Sequence, residues 1–249
     1  MSKEVVVVKF GSDLVADIDG VKEASIDEYV VGLSKLHEAD HLMVVTSGAV
    51  ACGRARINMA GGESGRYSLS QLAQLGSSAI FSAWESAFAK VGRMAGGLLV
   101  THHELAMPEE GDNFHRLLDD GISTDVIPII NANDAVSFEE LNRLKVAADN
   151  DDLASRLAVF IGAKKLRLFT AKGGVFNEDG QLIDFIDSQK IEDVKNITNQ
   201  RNLSGGNGRG GIQSKVDAVW RFVSETGGVA EIAQPNQDMS GTKITTFKT

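Results

Sequence analysis

Several short apolar runs in this 249-residue chain end alike, in a lysine, a hydroxyl, an amide or a glycine. Lys9, Gly11 and Ser12 close Val5-Val6-Val7-Val8, and Thr46, Ser47 and Gly48 close Leu42-Met43-Val44-Val45. Asn131, Asn133 and Asp134 follow the run at 126–130, and Thr170, Lys172, Gly173 and Gly174 follow the one at 166–169. A cation beside a glycine turn suits anion binding, because Gly11 lets backbone N–H groups approach a ligand with no Cβ in the way. A second such pairing is Gly208-Arg209-Gly210-Gly211-Ile212-Gln213-Ser214-Lys215. Alone it reads equally well as a floppy hairpin. It also leads into an amphipathic helix carried by Ile212, Val216, Val219, Trp220 and Val223, whose N-terminus suits phosphate oxygens. The Walker pattern G-x-x-x-x-G-K-[ST] is absent, which argues against a P-loop enzyme.

Asp149-Asn150-Asp151-Asp152 supplies carboxylates where a helix through Leu153, Leu157 and Phe160 begins. Capping accounts for part of this. Four such residues exceed what a cap requires, and a carboxylate here can hold two lysines while an amide binds a substrate. His37, His41, His102, His103 and His115 have neither metal-ligand spacing nor acidic relay partners in the sequence. They are expected on surfaces or loops, and no metal is assigned to protein ligands. The single cysteine, Cys52, excludes an internal disulfide and reads as a small buried residue in a reducing compartment. A net charge of -9 disfavours nucleic acid and anionic lipid as partners. No apolar run approaches the roughly 18 residues of a membrane helix. The N-terminus shows no signal sequence, and a cytoplasmic location is expected.

The elements that must position these residues alternate. β-branched runs at 5–8, 42–45, 98–100, 126–130 and 166–169 read as buried strands. Ser25-Ile26-Asp27-Glu28 has the form of a capping box, followed by Ile26, Tyr29, Val30, Leu33 and Leu36 on one helical face. Further helices are expected over about 70–91, 151–163 and 211–226. Strand–helix alternation of this kind builds an α/β three-layer αβα sandwich around a mainly parallel sheet. Its ligands would lie beyond the carboxyl ends of the strands, where the polar residues gather. The Gly-rich stretches at 61–68 and 204–211 read as loops and not boundaries, so 1–249 is expected to be one domain.

The order of these pieces resembles the amino acid kinase family and, within it, the glutamate 5-kinases. VVVVKFGS at 5–12 is similar to the family's opening strand and lysine turn. VVTSGAVACGR at 44–54 is similar to its Ser-Gly-Ala substrate loop, and QLAQLGSSAIFSAWE at 71–85 to its Gly-bearing helix. IPIINANDAV at 127–136 and ADNDDLASRLA at 148–158 are the most specific pair, close to the N-E-N-D and G-D-N-D signatures. LFTAKGGVF at 168–176 resembles the nucleotide-side strand, and GRGGIQSK at 208–215 the loop G-T-G-G-M-x-T-K. The likeness runs to about Ile232.

The resemblance implies ATP-dependent phosphorylation of L-glutamate on its γ-carboxylate, with Mg2+ arriving mainly on the ATP phosphates. It implies catalytic roles for Lys9 and Lys215, contacting the transferred group, and for Asp151, orienting them. Ser47, Asp134 and Asn150 would bind glutamate. Lys9, Thr170, Ala171, Gly208, Arg209, Gly210, Gly211, Ile212, Gln213, Ser214 and Lys215 would face the nucleotide. A carboxylate acceptor is already ionised at pH 7, so no general base is needed. Homo-oligomerisation and a glutamyl-phosphate reductase partner are further expectations, with no appended PUA-type domain. Ala132, Ala148, Ala171, Ser77 and Arg209 depart from the family pattern. Two other readings fit the same residues: a kinase of another small carboxylate, carbamate or phosphate, and a non-catalytic amino-acid or nucleotide sensor.

Overall fold

The structure, a computed structural model, describes residues 3–101, 104–105, 108–134, 150–203, 211–235 and 241–246. The first strand, β1 (Val5–Phe10), carries the buried valine run through Lys9 and Phe10. A short helix α1 (Ser12–Val15) and a two-stranded ribbon, β2 (Ala16–Asp17) with β3 (Gly20–Val21), lead to α2 (Glu23–Ala39). Next come β4 (His41–Val45), α3 (Ala49–Met59), α4 (Leu69–Lys90), β5 (Met94–Val100), α5 (Pro108–Thr124) and β6 (Val126–Ala132). After these follow α6 (Asn150–Phe160), β7 (Lys165–Phe169), β8 (Phe185–Ile186), α7 (Ile191–Leu203), α8 (Ile212–Thr226), β9 (Val229–Ala233) and β10 (Gly241–Ile244).

Eight strands form one sheet in the order β5-β6-β4-β1-β7-β9-β10-β8. Every pairing is parallel except β9 with β10. The central strands are buried on both faces, which is why they read as continuous apolar runs. Side chains alternate across the pleat and so feed two separate cores. Val7, Met43, Ile130 and Leu168 pack beneath α5, α6, α7 and α8. Val6, Val8, Phe10, Val44 and Ile129 pack beneath α1, α2, α3 and α4. The expected three-layer αβα sandwich is therefore the observed architecture.

Two local expectations are corrected. Helix α2 begins at Glu23 with Lys22 as N-cap and no capping side chain, so the Ser25–Glu28 box lies inside the helix. The box that does form is at α4, where the Ser68 hydroxyl accepts from Gln71 N–H and the Gln71 side chain accepts from Ser68 N–H. His37 is not a surface residue. It is 2% exposed, and its Nε2 lies 3.0 Å from an Asp125 carboxylate oxygen. Leu42 N–H donates to His37 Nδ1 at 3.4 Å. His115 also has an acidic neighbour, Asp119 at 3.1 Å, though it lies at the surface. Cys52 is buried, as expected, and burial raises its thiol to about 11.

Helices α3 and α4 cross where neither can carry a side chain. A Cβ on Gly53 would lie 2.0 Å from the Leu72 carbonyl oxygen, and one on Gly76 would lie 1.9 Å from that of Ala49. This close crossing fixes α3, and with it the turn at its N-terminus that carries Ser47.

Candidate functional site

Lys9 shares its face of β1 with Val7, so it points under α6 and α8. Those two helices lie side by side, tied by the Ser155 hydroxyl donating to the Ala218 carbonyl at 2.7 Å. Arg221 of α8 also pairs with Asp152 of α6. The tie brings the first turns of both helices to the end of β1. Asp151 in the first turn of α6 is gripped from two directions: Lys9 Nζ forms an ion pair with Oδ1 at 2.5 Å, and Lys215 Nζ donates to Oδ2 at 2.7 Å. All three are buried, Asp151 completely, Lys9 to 3% and Lys215 to 9% exposure.

Burial alone would push the Asp151 carboxyl up, but the two ammonium groups outweigh it and hold the acid below the usual carboxylate range. Two cations against one anion leave the cluster with an excess positive charge. The N-termini of two helices add partial positive charge at the same place. An anion reaching the strand ends would therefore meet a buried, positively biased cluster.

A second cluster adjoins it. Asn150, one residue before Asp151, donates from Nδ2 to Ser47 Oγ at 2.8 Å and to Asn131 Oδ1 at 3.1 Å. Ser47 thus accepts one bond, and among the described residues its own O–H has no acceptor. The buried Asn150 Oδ1 has no hydrogen-bond partner among the described residues. Gly48 follows Ser47 at φ 100°, and a Cβ there would crowd Ile80, Val15 and Ala16 at 3.1–3.2 Å. Only glycine fits this turn, which is why the Ser-Gly pair is needed. Asp134 stands just past β6, and burial raises its carboxyl to about 6.

On the other side of β1, the turn after β7 carries Thr170 and Ala171. Thr170 N–H donates to Ala233 O at 2.9 Å, and Gln234 Nε2 donates to Ala171 O at 2.9 Å. Gly211 caps α8, and Ile212 packs on the core. The side chain of Gln213 accepts from Thr198 and donates to Asp217 at 2.9 Å, which ties the start of α8 to α7. Ser214 and Lys215 complete the first turn of α8. Gly208, Arg209 and Gly210 lie outside the described residues. Lys9, Asp151 and Lys215 thus meet from three separate segments, and Ser47 and Asn150 from two. Sequence reading set Asn131 among the rim residues without a role, and it overlooked Gln234, which no local pattern marks.

Fold and site together define a mainly parallel αβα protein with a buried lysine–aspartate–lysine cluster at its strand ends. The chain belongs to the amino acid kinase family, whose model matches residues 4–233. It is 34% identical over 229 residues to a glutamate 5-kinase of Pseudomonas fluorescens (strain Pf0-1), covering 89% of this chain and 59% of that one. A glutamate 5-kinase of Bacillus cereus (strain ZK / E33L) is 30% identical over 226 residues, covering 88% and 60%. The chain thus spans about three-fifths of the length of these curated relatives. Among solved structures, carbamate kinase from Giardia lamblia bound to AMP-PNP superposes with a TM-score of 0.70 at 14% identity, covering 99% of both chains. N-acetylglutamate synthase from Neisseria gonorrhoeae gives 0.65 at 13% identity, covering 99% of this chain and 60% of that one. At these identities the two structures speak for the fold.

Proposed function

We propose that the chain is a kinase domain that transfers the γ-phosphoryl group of ATP to the γ-carboxylate of L-glutamate, giving γ-glutamyl phosphate and ADP. The observation that carries the reading is Asp151 gripped between Lys9 and Lys215 beside the Ser47–Asn150 pair. In the transfer, one γ-carboxylate oxygen forms a bond to the γ-phosphorus while the bond from that phosphorus to the bridging oxygen breaks. The electrons leave on ADP. Such a reaction needs in-line positioning and stabilisation of the equatorial oxygens more than covalent help from the protein. Lys9 and Lys215 supply that charge from opposite sides of Asp151, which fixes where both ammonium groups sit.

Glutamate is held by groups of matched polarity. The free O–H of Ser47 donates to a carboxylate, while Asn150 Oδ1 and the Asp134 carboxylate accept from the α-ammonium. Thr170, Ala171 and the 208–215 segment face the nucleotide. Mg2+, when bound, neutralises phosphate charge; it comes in on ATP, because both oxygens of Asp151 are engaged by ammonium groups. The same reading makes 1–249 one catalytic domain, cytoplasmic and homo-oligomeric, feeding glutamyl-phosphate reductase in proline biosynthesis. Among the described residues no helix is long and apolar enough to cross a membrane.

The test is glutamate-dependent ADP release with hydroxylamine present to trap the acyl phosphate. Stoichiometric γ-glutamyl hydroxamate supports the assignment. Ligand binding without ADP release identifies a sensor instead, and release driven by another carboxylate or by carbamate moves the acceptor.

A further inference from the structure

Trp84 sits in the middle of α4, completely buried, and its size and burial would make it a core residue like any other. Its N–H has a specific target. Nε1 donates to Thr46 Oγ1 at 2.9 Å, in a buried bond between residues 38 apart in sequence. Thr46 is itself 0% exposed, and its hydroxyl donates onward to the Ser47 carbonyl at 3.3 Å. Thr46 N–H donates to Ile130 O at 2.8 Å, which anchors the same turn to β6. The next atoms outward are the Ser47 hydroxyl and the Asn150 amide that bonds to it.

The indole cannot rotate away from this task. Its ring lies 5.0 Å from Phe10 and 6.2 Å from Phe88, centroid to centroid. Phe10 directly precedes Gly11 and follows Lys9 on β1, so one side chain braces both the lysine turn and the serine turn. A buried Trp N–H requires an acceptor, and a buried Thr hydroxyl requires a donor and an acceptor. Each of these needs is met within the chain Trp84–Thr46–Ser47.

We infer that Trp84 and Thr46 are positioning residues for the acceptor pocket: the indole N–H sets the Thr46 hydroxyl, which fixes the Ser47 backbone and so the direction of its side chain. The inference rests on the reading of Ser47 as an acceptor-binding group. Neither residue touches the acceptor, and neither faces the nucleotide side at Thr170. Loss of the relay therefore weakens acceptor binding selectively.

The experiment compares wild type with Thr46→Val, Thr46→Ser and Trp84→Phe in steady-state kinetics and in backbone hydrogen exchange. Thr46→Val keeps the shape and deletes the hydroxyl; Trp84→Phe keeps an aromatic ring and deletes the N–H. Each is expected to raise the glutamate KM about five- to tenfold, the scale of one hydrogen bond, with the ATP KM unchanged. Thr46→Ser, which retains the hydroxyl, recovers most of the acceptor affinity that Thr46→Val loses. Exchange should quicken at the amides of Thr46, Ser47 and Gly48 while β1 and β7 keep their protection. Equal KM values in wild type and Thr46→Val would overturn the inference. So would a loss shared by both substrates and spread over the whole molecule, which marks a core defect. If wild type shows no glutamate turnover, the functional reading fails by itself. The exchange data still decide the relay: deprotection confined to 46–48 supports it, and an unchanged pattern refutes it.

Discussion

Replacing Asp151 with asparagine keeps the shape of the side chain and removes the charge that two buried lysines share. In the wild-type protein the carboxylate oxygens lie 2.5 Å from Lys9 Nζ and 2.7 Å from Lys215 Nζ, with Asp151 itself wholly buried. The amide offers one acceptor oxygen where two were used, and its NH2 group faces an ammonium. Removing one partner of a buried ion pair typically costs about 3–5 kcal/mol, because the other charge is left uncompensated. Because this cluster sits at the strand ends and not mid-core, the lower end is expected, a loss of about 3 kcal/mol in urea unfolding at pH 7. The lysines would also drift from the places that the proposed transfer requires, so kcat should fall by about 10²–10³. A phosphate-bearing ligand restores the missing negative charge, so saturating ATP should recover more stability in the variant than in wild type. The wild-type carboxyl is held below its usual range, so its contribution persists from neutral pH down to about 4 and disappears only as pH falls through the folded value. Asp151→Asn should therefore show a flatter acid limb. A stability loss under 1 kcal/mol with full turnover would overturn this assignment, since only the interaction of a first-turn carboxylate with the helix dipole would then have been at stake.

Asp134 is raised to about 6, so a drop in pH through 6 should neutralise it and lower kcat/KM for glutamate, approaching tenfold per unit; Asp134→Asn should lose that dependence. Gly76→Ala drives a Cβ to 1.9 Å from a backbone oxygen of α3 and should cost about 3 kcal/mol, read by urea unfolding, with Gly96→Ala, which meets nothing within 4 Å, as an uncrowded comparison. His37 is lowered chiefly by desolvation, so the folded state resists protonation and stability should fall as pH drops below about 6.5; His37→Gln should blunt that slope in urea melts between pH 7.5 and 5.5. Lys215→Ala should reduce kcat by about 10²–10³ while changing the glutamate KM little.

The strands were legible because a doubly covered parallel sheet favours continuous apolar, β-branched runs; Val5–Val8 is one without a break, and 126–130 is one interrupted only by Pro128. The rim was legible for the same reason, since every strand end had to carry something other than an apolar residue. What the sequence hides is distance. Lys215 and Asp151 lie 64 residues apart, and only the packing of α8 on α6 brings them to 2.7 Å. His37 and Asp125 are 88 apart, so the acidic partner that makes His37 a core residue is invisible locally. The Ser25–Glu28 box failed because tertiary packing extended α2 by three residues at its start, past a locally acceptable cap. Trp84 is indistinguishable from core filling in the sequence, because a hydrogen bond from an indole leaves no periodic trace. Gln213 belongs to a loop that resembles a nucleotide contact, yet its side chain is spent on Thr198 and Asp217.

In the proposed reaction phosphorus becomes bonded to an oxygen of the glutamate side chain, and oxygen labelling follows that bond. Glutamate carrying 18O in its γ-carboxylate is incubated with the protein, MgATP and hydroxylamine, and the released phosphate is analysed by mass spectrometry. Hydroxylamine attacks the acyl carbon, so phosphate should leave with one 18O atom for each hydroxamate formed. Phosphate without label, released at the same rate with or without glutamate, would mean that water is the acceptor and would contradict the account.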